Sequence, residues 1–308
     1  MNLIGVDIGG TKCALSVPEG ADRVREVARF ATTDVQGTLA RFYAEIAKLA
    51  PSPDTVFGVS CGGPLDAKHG LILSPPNLPG WDRIPICNEL TRRFGGRAFL
   101  MNDANACALA EWQYGAGRGC QSMVFLTMGT GMGAGLILDG RLYEGVTGNA
   151  GEVGHMRMAT DGPVGYGKAG SFEGFCSGGG IAQIARRRVR EFGGASALKT
   201  LPADAITARD VGAAAEAGDA LALDIWREVG ERLGGALAIF IDVLNPERIV
   251  IGSIYQRCEK FMAPALRAVI AREALPDSAR DCAIVPAVLG DELGSCAAVA
   301  IARYRGGV

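Results

Sequence analysis

The chain has 308 residues, 48% of them hydrophobic, with 31 Lys+Arg against 33 Asp+Glu, so it can bury a large core and disorder is excluded. A net charge of -2 without a basic block offers nothing to attract a nucleic-acid backbone. The longest apolar run, Leu233 to Ile241, falls far short of the ~20 residues that span a bilayer, and Met1 stands too close to the first strand pattern for a secretory leader; neither membrane nor secretion is expected.

At roughly 150 residues per domain the length suggests two domains or lobes. The nine cysteines are odd in number and no two lie within ten residues of each other, which reads as reduced thiols in a cytosolic chain. The 44 glycines are about twice the average share of roughly 7%, and they cluster where backbone must approach something closely.

In chain order, LIGVDI at 3–8 reads as a strand, Gly9-Gly10 as a turn and 13–17 as the returning strand of a hairpin, with Asp7 at the bend. Leu39, Phe42, Tyr43, Ile46 and Leu49 recur at helical spacing within 34–50. A strand at 55–60 precedes a long Gly/Pro-rich loop, 61–81, of the length that usually serves function. A short helix at 86–94 and a strand at 97–101 lead to Asn102-Asp103, and 104–114 is built of strong helix formers, so the acid stands at a strand-to-helix junction. After GAGRG at 115–119 the pattern restarts: a strand at 123–128, a Gly-Thr-Gly turn and a strand at 135–138. The segments VDIGGTKCALSV and FLTMGTGMGAGLIL are copies of one design roughly 120 residues apart. A second glycine-rich loop, 143–180, follows, then helices at 181–192, 208–217 and 219–243, a strand at 248–251 ending at Gly252, and helices at 256–273 and 290–304. Two related lobes are expected: 1–117 with the C-terminal helix 291–308, and 118–290.

Three glycine motifs mislead. Gly162 to Lys168 has P-loop spacing, but Ala169 stands where a Ser/Thr would bind magnesium and no apolar strand feeds it. The run from Gly129 to Ala134 fits a dinucleotide fingerprint, which requires a helix after it; Leu136 to Leu138 read as strand instead. His155 and Cys176 supply two of the four ligands a zinc site needs. What remains is a pair of Gly/Thr hairpin turns whose unobstructed backbone N–H groups suit the phosphates of a nucleoside triphosphate, with Asp103 and Asp7 at strand ends for an acceptor hydroxyl and for magnesium. Those are the parts of phosphoryl transfer. The plainer alternative makes the glycines tight turns and Asp103 a helix N-cap.

Taken together, Asp7 to Lys12, Asn77-Leu78-Pro79-Gly80-Trp81, Asn102 to Asn105 with Glu111, Gly129 to Gly133, Gly148 to His155, Glu173, and Asn245-Pro246-Glu247 before Ile249 to Gly252 resemble the ROK family of sugar kinases and sugar-responsive repressors, in the actin/hexokinase superfamily. The resemblance covers nearly the whole chain. It implies an α/β fold of two ribonuclease-H-like lobes with sugar and ATP-magnesium in the cleft between them. It makes Asp103 the general base and gives Asn77, Asn102, Glu152, His155 and Glu173 to the sugar. Asp7 falls to magnesium through water, and Gly9, Gly10, Thr11, Lys12, Gly129, Thr130, Gly131 and Gly252 to the nucleotide. Hydroxyls both donate and accept, so Asn, Asp, Glu and His are apt partners. On the residues alone Glu152 and Glu173 also read as solvated loop acids, His155 as structural, Trp81 as packing, His69 as a bland turn residue, and Lys12 as a partner of phosphate or of carboxylate.

The chain departs from the family pattern in three places. Most ROK proteins carry a Cys-Gly-Cys-Gly-x-x-Gly-Cys segment that binds structural zinc with the histidine; here the cysteine places hold Val164, Tyr166 and Ser171. No structural zinc is expected, with packing of Tyr166 and Phe172 in its stead. Gly252-Ser253-Ile254 replaces a run of glycines on the adenosine wall, and the DNA-binding segment of the repressor branch has no counterpart ahead of the first strand, so a repressor is not expected. The resemblance thus implies a cytoplasmic, ATP-dependent hexokinase with glucose the first candidate. Other hexoses (fructose, allose, mannose), N-acetylglucosamine, N-acetylmannosamine and a non-catalytic sugar-sensing role stay open, because one hydroxyl's stereochemistry is read by geometry. A homodimer is compatible with the family.

Overall fold

The computed structural model describes residues 2–307; residues 1 and 308, which the expected lobes include, lie outside the described residues. The first half builds a five-stranded mixed sheet. β1 (Leu3–Ile8), β2 (Lys12–Glu19) and β3 (Arg23–Ala31) form an antiparallel meander. Helix α1 (Val35–Lys48), capped by Asp34, whose carboxylate accepts from the Gly37 N–H at 2.7 Å, returns the chain to β4 (Val56–Cys61), parallel to β1. A small hairpin of β5 (Leu65–Asp66) and β6 (Leu71–Ile72) precedes α2 (Ile86–Phe94), which leads into β7 (Arg97–Asn102), parallel to β4. The order is β3-β2-β1-β4-β7. Every residue of β4 is buried, as a central strand covered on both faces requires.

Helix α3 (Asp103–Tyr114) carries the chain to the second sheet. β8 (Met123–Met128), β9 (Met132–Leu138) and β10 (Arg141–Tyr143) repeat the antiparallel meander. The small hairpin β11 (Val164–Gly165) and β12 (Lys168–Ala169) and helices α4 (Phe172–Cys176), α5 (Gly178–Glu191), α6 (Ala208–Glu216) and α7 (Ala220–Leu244) follow. β13 (Arg248–Ile251) then lies parallel to β8, and beyond α8 (Ile254–Glu273) and α9 (Pro276–Asp281), β14 (Ala283–Pro286) lies parallel to β13. The order β10-β9-β8-β13-β14 reproduces the first sheet strand for strand, so the repeat visible in the glycine hairpins extends to the topology.

The closing helix α10 (Leu293–Gly306) packs on β1 and β4, and α3 packs on β8 and β9 and against α10, so the two helices are stacked between the sheets. Both are rich in alanine, and glycines on the strands let them approach. A methyl on Gly5 would meet the Val299 backbone nitrogen at 2.7 Å, and one on Gly135 would meet the Ala104 carbonyl oxygen at 2.8 Å.

Several elements differ from the sequence reading. β3, β10, β14 and α9 occupy stretches with no assignment. In β3, Arg23, Arg25, Glu26 and Arg29 mask the period-two pattern, because an edge strand keeps charges that guard it from pairing. β9 begins at Met132 rather than 135, and α5 at Gly178 rather than 181, since Ser177 caps it by accepting from the Gly180 N–H at 3.1 Å. The segment from Gly162 to Lys168 forms the β11–β12 hairpin, not a loop entering a helix.

Candidate active site

Strand register sets the positions of the two acids. Asp7 pairs with Ser60, and its neighbour Ile8 pairs with Cys61, which pairs in turn with Asn102 at the end of β7. Neighbouring strands lie ~4.8 Å apart, so Asp7 and the Asn102-Asp103 step stand about 10 Å apart at the carboxyl ends of parallel strands, with only β4 between them. That edge of an α/β sheet is where ligands collect.

Helix capping decides which of the two neighbours is free. Asn102 caps α3, its Oδ1 accepting from the Asn105 N–H at 2.8 Å, while Asp103 is the first helical residue and takes the Ala104 N–H at 2.9 Å. The alternative that Asp103 is the N-cap is therefore corrected: Asn102 fills that role with its carbonyl oxygen and keeps its amide N–H groups for other partners. The Asp103 carboxyl is open to solvent on one side and hemmed in by protein on the others. Burial raises its pKa above the usual carboxylate range, an effect the Ala104 N–H partly offsets. Asp7 is pushed up to about 6, first by burial and next by the charge of Asp103, against the lowering influence of Arg29 and Lys12. The thiol of Cys61, on the intervening strand, is raised by burial and then by both acids.

The glycine turns face other parts of the predicted site. In the first, the Gly9 N–H donates to the Lys12 carbonyl at 3.2 Å, and a methyl on Gly10 would strike the Asn77 backbone oxygen, so the turn and the Asn77 loop are in contact. Thr11 and Lys12 are exposed. In the second, the Gly129 N–H donates to the Gly131 carbonyl at 3.0 Å and the Gly129 carbonyl accepts from the Gly178 N–H at 2.8 Å. Gly129 and Thr130 line a cavity of about 850 Å³ together with Gly178, Gly179, Ser253 and Ile254. Gly252 is buried at the end of β13, its N–H donating to the Leu126 carbonyl at 2.9 Å.

Glu173, in α4, reaches the same turn: one carboxylate oxygen accepts from the Met132 N–H at 3.0 Å. Glu152 precedes a turn of 3-10 helix, Val153–His155, that ends on His155, and both are exposed. Gly154 between them presses on α4, where a methyl would lie 3.3 Å from Glu173 Cβ. The structure thus groups Asp7 with Asp103, Gly10 with Asn77, and Gly131 with Glu173, and leaves the Glu152 and His155 side chains exposed. Trp81 is fully buried, in keeping with packing, and His69 bonds only Asp66, at 2.7 Å on the surface.

Around the three places of the family's cysteines, hydrogen bonds hold the chain at Val164 and Ser171 and from Arg157. The Gln183 side-chain amide both accepts from the Val164 N–H and donates to its carbonyl, each at 2.9 Å. Ser171 caps α4 by accepting from the Gly174 N–H at 3.1 Å. Arg157 donates to the carbonyls of Ala159, Thr160 and Ala169. The Tyr166 ring meets the His155 ring edge-on at 5.3 Å but is 78% exposed, and Phe172 lies in the core against Phe240. Of the expected pair, Phe172 packs in the core, whereas the exposed Tyr166 ring removes little area from water, and polar staples hold the loop there.

Two carboxylates without an assigned role in the sequence are structural anchors. Glu111 is fully buried and accepts from the N–H groups of Ala116, Val288 and Leu289 at 2.7, 3.0 and 3.1 Å. Glu247 accepts from those of Gln121 and Ser122 at 2.7 and 2.9 Å. Their acceptors' partners lie up to 178 positions away, and no local pattern announces such bonds.

Two sheets of identical strand order, with acids at strand ends and a glycine turn in the first hairpin of each, define the ribonuclease-H-like, actin/hexokinase type of α/β fold. Residues 3–305 match the ROK family. The glucokinase of Thermotoga maritima is 30% identical over 311 residues, 99% of this chain and 98% of that protein. A ROK glucokinase from Streptomyces griseus, solved with glucose and AMPPNP, superimposes with a TM-score of 0.76 at 29% identity over 98% of this chain and 99% of that one. A ROK transcriptional regulator, a homologue of the E. coli MLC protein, gives a TM-score of 0.84 at 26% identity, covering 99% of this chain and 79% of its own. The chain belongs to the ROK family, and its kinase relatives support a hexose kinase. No helix is long and apolar enough to cross a membrane among the described residues.

Proposed function

We propose that the protein is an ATP-dependent hexose kinase that phosphorylates the 6-hydroxyl of glucose. The observation that carries the reading is the carboxyl of Asp103, left free by the Asn102 cap and raised in proton affinity by its surroundings, at a strand end beside a second acid. In this reading the lobes are 1–117 with 291–308, and 118–290. Asp103 accepts the hydroxyl proton as the oxygen attacks the terminal phosphate, and its raised pKa brings it nearer to the pH at which it works. The amide of Asn102 and the free oxygen of Glu173 hold neighbouring hydroxyls, with Asn77, Glu152 and His155 around them. Gly9 to Lys12, Gly129 to Gly131 and Gly252 hold the nucleotide. Positioning supplies most of the rate.

The residues present also fit magnesium. Asp7 offers a carboxylate whose proton affinity a cation would lower, and no cluster of three metal-ligating side chains occurs among the described residues, which suits an ion that keeps its waters and leans on substrate phosphates. Asp7 would hold the ion through water, and bound magnesium screens phosphate charge. The nine free thiols suit a cytoplasmic setting.

The test is ADP release from magnesium-ATP over a panel of hexoses and N-acetylhexosamines, with Asp103→Asn as control. Turnover on glucose that the substitution abolishes supports the reading; turnover on another sugar moves the substrate. The likeness to a regulator favours a sugar sensor as the second reading, and sugar binding without turnover on any sugar would establish it.

A further inference from the structure

A two-residue turn beside His155 carries a side chain that the turn disfavours. In the hairpin β11–β12, Val164 pairs with Ala169 and Gly165 with Lys168, which leaves Tyr166 and Gly167 as the loop. Both take positive φ, 43 and 78. Such loops favour Asn-Gly, because a larger side chain gives up free energy in the left-handed region. Burial does not offset this for the tyrosine, whose ring is 78% exposed. Its aromatic neighbour is His155, at 5.3 Å between centroids with the ring planes at 79°.

The hairpin that carries the ring is braced against two residues that the kinase reading gives to the sugar. A methyl on Gly165 would lie 2.7 Å from Glu173 Cβ, so this strand presses on α4. The Lys168 ammonium donates to the His155 carbonyl at 2.5 Å, and the Gln183 amide holds Val164 by two hydrogen bonds. The turn is thus fixed beside His155 with its ring open to solvent. Asn77, Asn102, Glu152, His155 and Glu173 are all polar and suit the hydroxyl edge of a pyranose. The two faces of a pyranose are C–H bonds, which pack on the electron-rich face of an aromatic ring. Trp81 is fully buried and has no face to offer; Tyr166 has one.

We propose that Tyr166 is a specificity-determining residue whose ring stacks on one C–H face of the bound hexose, with His155 and Glu173 at the hydroxyl edge, so that the site selects pyranoses without an axial hydroxyl on that face. This rests on the kinase reading above and narrows its substrate class. An axial hydroxyl turned onto the ring loses its water and gains no partner, which is how an apolar face separates epimers.

The test is calorimetric titration of the full-length protein with glucose, whose ring hydroxyls can all be equatorial, and with mannose and allose, whose axial hydroxyls lie on opposite faces, alongside titration with magnesium and AMPPNP and urea unfolding. Tyr166→Asn, which suits the turn and removes the ring, is expected to weaken glucose about tenfold and to leave at least one epimer unchanged, so that the preference for glucose over that epimer falls by the same factor. Nucleotide affinity and the urea midpoint should not fall. Tyr166→Phe keeps the ring and should keep the preference. Glucose binding by Tyr166→Asn as tight as wild type would mean that the ring does not touch the sugar, and an equal loss for all three sugars would mean that it only steadies His155. Either result would overturn the proposal and leave the kinase reading intact, as would equal affinity of the wild type for all three. A wild-type protein that binds none of the three would overturn the glucose reading along with the proposal.

Discussion

A carboxylate oxygen of Glu173 accepts from the Met132 N–H at 3.0 Å, so the helix that supplies a sugar ligand in the proposed mechanism is bonded to the hairpin that would hold the phosphates. The two substrates' binding elements are then one mechanical unit. Glu173→Ala is expected to raise the KM of hexose and of nucleotide together, each about tenfold. Glu173→Gln, which keeps an oxygen for Met132, should raise chiefly the hexose KM. Steady-state kinetics with both substrates varied checks this, and an unchanged nucleotide KM in Glu173→Ala would sever the link.

Asp7 predicts a conflict between stability and activity. Its pKa is raised from 3.8 in an unfolded chain to about 6 in the fold, so the folded state binds the proton more tightly. Well below pH 4 the group is neutral in both states and contributes nothing. As pH rises, the unfolded chain ionises first, and the cost to the fold grows until Asp7 itself ionises near 6; above that the full cost persists, on the order of 3 kcal/mol. Asp7→Asn should therefore stabilise the protein at pH 7–8 by about that amount and not at pH 3.5, while abolishing magnesium-dependent turnover. Urea unfolding at both pH values reads the difference.

The same raised pKa values shape the rate. Proton uptake by Asp103 and ion binding by Asp7 both require the ionised form, and both pKa values are raised, so kcat/KM should fall as pH drops, through about 6 for the part that Asp7 carries. The acid limb should shift to lower pH at saturating magnesium, since a cation beside Asp7 favours its charged form. A pH–rate profile at two magnesium concentrations would show it, and a flat profile from pH 5 to 8 would contradict it.

Glu111 joins the segment that leaves α3 to the segment that enters α10 by three backbone N–H bonds. Glu111→Ala leaves those donors buried without partners and is expected to cost about 3 kcal/mol or more in stability. Urea unfolding measures it, and a loss below about 1 kcal/mol would mean the donors find other acceptors.

The loop at the family's zinc place is held by Gln183, Ser171 and Arg157. Its order should be independent of metal: prolonged chelation should leave the thermal midpoint unchanged, whereas Gln183→Ala should lower stability by about 1–2 kcal/mol. One equivalent of zinc in the purified protein, lost with a fall in midpoint, would overturn this.

Much of the fold was legible. β1, β4, β7, β8 and β13 carry apolar runs that only buried strands need, and the paired glycine hairpins exposed the internal repeat. β3 and β14 were not, the first because charges on an edge strand break its period and the second because four residues carry no period. Asp103 was legible as an acid at a strand end, but not that Asn102 would take the cap, since either side chain satisfies that position by sequence.

The sequence by itself determined the class of the protein: its motifs stand in order along the chain, and their chemistry, small turns for phosphate and acids at strand ends, is local. Only the tertiary structure decided what each side chain is left to do. Glu111 and Glu247 became anchors, Glu173 a bridge, and Tyr166 an exposed ring beside His155. The reason is physical: a hydrogen-bond partner or a pKa depends on atoms that folding brings together from distant positions, and neither composition nor spacing records their meeting.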